Sequence, residues 1–394
     1  MLVNSYRFKP LWDLAGAIPS LDLDLAQNKS LLDAVTGQSR VTFTRASSGT
    51  YVGSDGLIKT AATDEARFNH DPTTLESLGL LVEEQRTNLL LRSEAIATTP
   101  WFSGNVTLTN NTSDVVDPAG GLTATKVVAT GSGSAFGQPV TLTAAVYAGS
   151  IWARCATGTV SASLIVYLGA TPFTNIGTTN VTITTSWQRF SVVTSAATAA
   201  SYNIQLNNIG AGTIYAWGAQ LEAGTSVTSY IPTTTAAATR AADVASITGT
   251  NFSSWYNQTE GTVFADATII DTGSNRFIVG ASDATINEEI ALYWNTVFGS
   301  LVSDNGVAQA NSFGGTVSAR SRALHSFGYK ANDFQGYGNA VALSTDTSGT
   351  LPTADRLTIG SRVNSTFWAN GTIRRIAYWP NRLSNSILQA ITQS

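Results

Sequence analysis

The densest group of ionisable side chains lies in residues 42–71, TFTRASSGTYVGSDGLIKTAATDEARFNHD. It gathers Arg45, Asp55, Lys59, Asp64, Glu65, Arg67, Asp71 and His70 in a chain that is otherwise poor in charge. Nucleophilic catalysis would need a histidine base beside a serine or cysteine. The chain has two histidines, His70 and His325, one cysteine, Cys155, and no GxSxG elbow, so no triad is expected. Zinc would need about three or four nitrogen or sulfur ligands, which these residues do not supply. No glycine loop followed by Lys-Ser/Thr offers a phosphate cradle. Glycoside cleavage needs two carboxylates facing one another across a sugar. Glu83-Glu84 and Glu288-Glu289 are adjacent pairs, and neighbours on a strand point to opposite faces. A pair converging from distant strands is left open. The mixed signs of residues 42–71 instead suit local or intersubunit ion pairs. Asp55-Gly56 fits a hairpin turn. The stretch is therefore expected to be structural, and no catalytic residue is assigned.

Binding is better provided for than catalysis. The chain carries 9 Trp and 12 Tyr, and aromatic rings on an open sheet face can stack on the apolar faces of sugars. The candidates for such contacts are Trp101 and Trp152 in the middle of the chain. Near its end they are Trp294, Asp304, Asn305, Tyr337 and Trp368. The competing reading is that sandwich aromatics belong to the core. Arg374 and Arg375 alternate along the last strand, so at most one is expected to face a groove. No cofactor is expected. The loops DPAGG (117–121) and SDNG (303–306) offer oxygen ligands for a structural calcium, against ordinary Asx turns.

The elements that must position these residues are β-strands. Alternating apolar and polar residues recur in short runs separated by Gly, Asn, Asp and Pro. The fold class predicted is all-β: an N-terminal anchor and a small β-rich connector, then two antiparallel β-sandwiches. Charged residues make up 12% of the chain, against about 25% in an average soluble protein, so the exposed faces must be built from neutral polar groups. The net charge is −4 without a basic run, which argues against nucleic acid as a partner. No apolar run reaches the roughly 20 residues of a membrane span, so no membrane insertion is expected. A lone cysteine excludes an internal disulfide framework, and the N-terminus lacks the apolar core of a signal peptide.

Four segments follow. Residues 1–20, with Tyr6, Phe8, Leu11 and Trp12, are a docking segment, or alternatively a strand or turn packed on its own body. Residues 21–92 are a β-rich connector, within which LAQNKSLLDAV is a short helix or a strand. Residues 93–240 form the first sandwich. Residues 229–246 serve as a linker. Residues 247–394 form the second sandwich, closed by a helix containing Ile387, Leu388 and Ile391. Thr44-Arg45-Ala46 recurs weakly as Thr239-Arg240-Ala241.

The run FTRASSGTYVGSDGLIKTAATDEARFNHDP followed by SLGLLVEEQRTNLLLRSE resembles a module of tailed-phage virion proteins, among them head spikes and fibres. NLLLRSE, GGLTATKVV, SWQRFSV and YAWGAQLEAGTSVTSYIPTTTAAATRAADV resemble the carbohydrate-binding jelly roll that follows it. LTIGSR and GTIRRIAYWPNRLSNSILQAIT are similar to concanavalin-like lectin sandwiches of the laminin-G type. The resemblance covers roughly residues 20–394. It implies a virion structural protein, assembled in the host cytoplasm and displayed on the virion surface, that binds host polysaccharide for adsorption. It also implies self-association, as a homotrimer or, alternatively, a pentamer. Attachment to capsid, portal or tail proteins would run through Tyr6, Phe8, Leu11 and Trp12. A polysaccharide depolymerase and a purely structural decoration protein are the alternatives.

Overall fold

The computed structural model describes residues 11–393. They are almost all β, 47% strand and 5% helix, and every strand pairing is antiparallel. The chain divides into two compact units that interleave in sequence. One comprises Met1–Arg45, Asp64–Glu84 and Ala242–Ser394; the other comprises Ala46–Thr63 and Gln85–Ala241. Residues 21–92, expected as one module, are thus shared between the two, because their strands complete sheets that are otherwise built from the rest of the chain.

The first unit is a sandwich of two sheets. One is built around the adjacent strands Arg322–Lys330, Glu260–Ile269 and Gly371–Trp379, joined on the far side by Ser77–Val82 and by Leu21–Asp24. The other includes Thr42–Thr44, Val244–Thr248, Arg276–Ser282 and Glu289–Trp294. The period of two in a strand sorts the side chains. Val263, Ala265, Ala267 and Ile269 enter the core between the sheets, while Phe264 and Asp266 emerge on the opposite face. Strand Arg276–Ser282 is buried throughout, as its apolar run FIVGA requires. Two short helices, Leu11–Ala15 and Asn385–Ile391, lie over part of the outer face. There Leu11, Ala15, Leu388 and Ile391 pack on Phe264, Leu324, Ala377 and Trp379. Leu11 and Trp12, assigned above to virion docking, therefore pack on the body of their own unit. Tyr6 and Phe8 lie outside the described residues. LAQNKSLLDAV resolves into a single helical turn, Leu25–Asn28, which Asp24 caps by accepting from the Gln27 N–H and Lys29 ends at φ 48°.

The second unit pairs two five-stranded sheets around a core that includes Phe136, Ile151, Leu164, Val166, Ile204 and Leu221. A hairpin formed by Gly49–Val52 and Ile58–Ala61 joins it, with Gly56 at φ 78° in the turn and Lys59 Nζ 2.7 Å from Asp55 Oδ2. The supposed linker, residues 229–246, is not a free tether. Tyr230, Ile231, Arg240 and Asp243 are buried in it, and it contributes strands Ala238–Arg240 and Val244–Thr248.

Arg45 and Arg67, from the charged stretch 42–71, are buried in ion pairs of the first unit. Arg45 Nη1 lies 3.2 Å from Asp243 Oδ1, Arg67 Nη1 lies 2.8 Å from Glu83 Oε2, and Arg67 Nη2 pairs with Asp243 Oδ2. All four residues are essentially inaccessible to solvent. Burial works against the Arg67 charge, but Glu83 and Asp243 outweigh it and hold its pKa above the ordinary value. The Arg45 and Asp64 backbones are tied together by the Asp64 carboxylate, which accepts from the Arg45 N–H at 2.9 Å.

Candidate functional site

The outer face of the first unit's 260–269 sheet carries a groove of about 660 Å³, with an adjoining depression of about 350 Å³. Strand register places its polar groups. Asp24 pairs with Arg375, Arg375 with Asp266, and Asp266 with Leu324; one row on, Asp22 pairs with Ala377 and Ala377 with Phe264. Period-two spacing then puts Asp22 with Asp24, Phe264 with Asp266, and Arg322 with Leu324 on one face. Apolar Leu11, Trp12, Phe264 and Leu324 line the same cavity.

The charges interlock. Arg375 donates from Nε to Asp22 Oδ1 at 2.8 Å and from Nη2 to Oδ2 at 2.5 Å, with Nη1 3.6 Å from Asp24. Arg322 grips Asp266 through Nε and Nη2 at 2.9 and 2.7 Å. Arg374 donates to Glu76 at 2.5 Å. Trp12 Nε1 donates to Asp22 Oδ2 at 2.7 Å. Burial raises the Asp24 pKa, against the pull of Arg375 and the Gln27 N–H and with repulsion from Asp22 and Asp266 added. The hydrogen bond to Asp266 raises the Arg322 pKa.

Both Arg374 and Arg375 line the smaller depression, which corrects the expectation that only one could face a groove. The register shifts between Asp266 and Ala267, whose partners are Arg375 and Ile373. Arg374 is the extra residue of a β-bulge, and a bulge breaks strict alternation. Gly79 makes room for it: its φ is 86°, and a Cβ there would stand 2.1 Å from Ile373 O and 2.8 Å from Arg374 Cα. Gly79→Ala should therefore cost at least the ~1–3 kcal/mol of a strained backbone position and displace Arg374. An unchanged denaturation midpoint would refute this dependence.

Most of the sugar-contact candidates stand elsewhere. Trp294 is fully buried, its Nε1 donating to His325 Nδ1 at 3.1 Å, so no ligand can stack on it. Asp304 and Asn305 form a tight hairpin turn. Asn305 sits at φ 52° and Gly306 at φ 74°, and Asp304 accepts from Asn305 and Thr350. Tyr337 is half-buried against the cluster under the two helices. Trp368 is half-buried on the core, donating to Asp243 O at 3.1 Å. In the second unit, Trp101 donates to Leu91 O and Arg92 O and packs on Phe136. Trp152 is half-buried between Trp217 and Tyr230, with the Arg189 guanidinium 4.3 Å over its ring. None of these seven lines the groove. Trp12 and Leu11, assigned to docking, do.

The calcium loops show Asx chemistry. Asp117 accepts from the N–H groups of Ala119, Gly121 and Thr123 and from the Thr123 hydroxyl, at 2.8–2.9 Å. Among the described residues no three His, Cys, Asp or Glu side chains are arranged to hold a metal ion.

No protein-family model and no curated protein matches the chain. Among solved structures it is similar to the CBM40 of the Ruminococcus gnavus IT-sialidase bound to α2,3-sialyllactose. The identity is 13% and the TM-score 0.32, over 36% of this chain and 88% of that one. It is similar to a NanB sialidase mutant from Streptococcus pneumoniae at 16% identity and a TM-score of 0.31, over 36% of this chain and 26% of that one. A CBM4 structure matches at 18% and 0.24, over 32% of this chain and 86% of that one.

Proposed function

We propose that the chain is a glycan-binding protein and that the groove over the 260–269 sheet holds the sugar. The observation that carries this is the alternation of carboxylates and guanidinium groups around an apolar floor. Carboxylates accept from hydroxyls and guanidinium groups donate to them, while the partly exposed Trp12 and Leu14 offer surface to C–H faces. The finer reading rests on the sequence resemblance: a phage virion surface protein that adsorbs to host polysaccharide, as a homotrimer or pentamer, with weak sites gaining from multivalency.

Arg322→Ala and Trp12→Ala should each weaken binding to an isolated host-surface polysaccharide by tenfold or more. Arg322→Ala also takes the two-point partner from Asp266, whose side chain is only 8% exposed, so part of the loss will be stability and affinity is compared per folded molecule. Affinity that is unmoved by both substitutions removes the groove from the function.

One observation favours a second reading, a depolymerase. Asp24, with its raised pKa, lines the groove beside Asp266, which accepts from both Nε and Nη2 of Arg322. That is the pairing of an acid with a carboxylate that glycosidases use. Each carboxylate is already engaged by an arginine, which suits holding a sugar better than cleaving one. Polysaccharide whose size falls on incubation, and no longer falls with Asp24→Asn, would reverse the preference.

A further inference from the structure

In the second unit, one sheet comprises Phe102–Gly104, Ala135–Leu142, Val160–Leu168, Asn175–Ile183 and Ala200–Asn207. These five strands contain no Asp, Glu, Lys or Arg. The sheet packed against it carries Lys126, Arg154, Arg189 and Glu222. Leu164, Val166, Ile204 and Leu206 turn inward to the core, so their neighbours turn outward.

Register arranges the outward groups in rows. Tyr167 stands between Asn175 and Asn203, Ile165 between Thr178 and Gln205, and Ser163 between Asn180 and Asn207. Adjacent strands are ~4.8 Å apart, so each row is a close-set line of amides and hydroxyls. Aromatic rings stand at both ends. Phe173, 66% exposed, meets Tyr167 edge-on at 5.9 Å. Phe102 lies over Gly137, where a Cβ would come within 2.9 Å of its ring. The buried amides of this unit are committed: Asn88, Gln138 and Gln220 all bond backbone or side chains. Among the described residues the side chains of Asn203, Gln205 and Asn207 have no such partner.

We infer that this face is a second sugar-binding surface, and that it takes an uncharged glycan chain. Each primary amide offers both an acceptor and donors, which matches neighbouring hydroxyls that both give and accept. The terminal rings supply stacking surface. A charged sugar would lose hydration here without gaining a counter-charge. Between the terminal rings a protein partner would find little apolar area, since Ile165, the large aliphatic group among the outward positions of these rows, is only 7% exposed. The surface is separate from the ionic groove of the first unit and different in chemistry.

The test uses the full chain on an array of neutral hexose and N-acetylhexosamine oligomers beside sialylated and uronate-bearing ones, followed by calorimetric titration of the strongest neutral ligand. Tyr167→Ala and Asn203→Asp should each weaken that ligand at least fivefold with unchanged thermal transitions, while Arg154→Ala on the opposite sheet leaves it unchanged. Neutral binding that survives both face substitutions and is lost with Arg322→Ala overturns this inference and leaves the groove reading standing. Binding confined to acidic sugars overturns it as well. So does sedimentation showing that Tyr167→Ala dissociates an oligomer, since the face would then be a contact between copies. Binding to no sugar at all overturns both readings.

Discussion

Arg67→Ala should destabilise the first unit by about 3–5 kcal/mol, the usual consequence of removing one partner from a buried ion pair. The loss would not come mainly from the vanished attraction. It would come from Asp243 and Glu83, which would remain in a solvent-free site without the Arg67 guanidinium. Arg45 would still face Asp243 at 3.2 Å, but Glu83 would lose its 2.8 Å partner. The network also fixes backbone: Asp243 Oδ2 accepts from the Glu83 N–H at 2.8 Å, and the Asp243 N–H donates to Glu83 O at 2.9 Å. Urea unfolding of Arg67→Ala, Glu83→Ala and the double variant would measure this. The two effects should be strongly sub-additive, because one substitution already breaks what the other breaks. Additive effects, or a loss near zero, would show that the pair is not coupled. Sugar affinity per folded molecule should be unchanged.

The second large effect is a loss of stability in acid through His325. Burial depresses its pKa from the ordinary 6.5 to about 3. The ring is held neutral by two bonds: Nδ1 accepts from Trp294 Nε1 at 3.1 Å, and Nε2 lies 3.0 Å from Ser300 Oγ. That fixes the tautomer, with the proton on Nε2 donated to Ser300. A proton on Nδ1 would break the bond to Trp294. The sign follows from linkage. Below pH 6.5 the unfolded chain takes up a proton that the folded chain refuses, so stability falls as the pH drops from 6.5 toward 3, by about 1.4 kcal/mol per unit. Carboxylates elsewhere add their own slopes, so the comparison is with His325→Gln, which cannot titrate. The stability of the parent chain should fall more steeply than that of the variant across this range. Parallel curves would mean that His325 does not set the slope.

Strand content was legible in the sequence, because period-two patterning is a local fact. The site was not. LDLD at 21–24 sets Asp22 and Asp24 two apart, and FAD at 264–266 and RAL at 322–324 each set one charged residue two from an apolar one, but nothing local says that these distant strands share one sheet face. The bulge that frees both Arg374 and Arg375 is equally invisible without its partner strand, although Gly79 in SLGLLV marks the close approach. Trp294 misled for a related reason. Trp294 occupies an alternating strand position like any exposed aromatic, and only its contact with His325 from another strand reveals it as core.

What the sequence determined by itself is the all-β class, the hairpin at Asp55-Gly56 and the final helix. Those depend on turn geometry and side-chain period, which are properties of short segments. Tertiary structure alone decided that residues 21–84 are shared between two units, that Trp12 lines a groove and Trp294 does not, and that Asp22, Asp24, Asp266, Arg322 and Arg375 meet on one face. Those depend on which strands become neighbours, and register between segments some 50 to 350 residues apart is set by the packing of the whole sandwich.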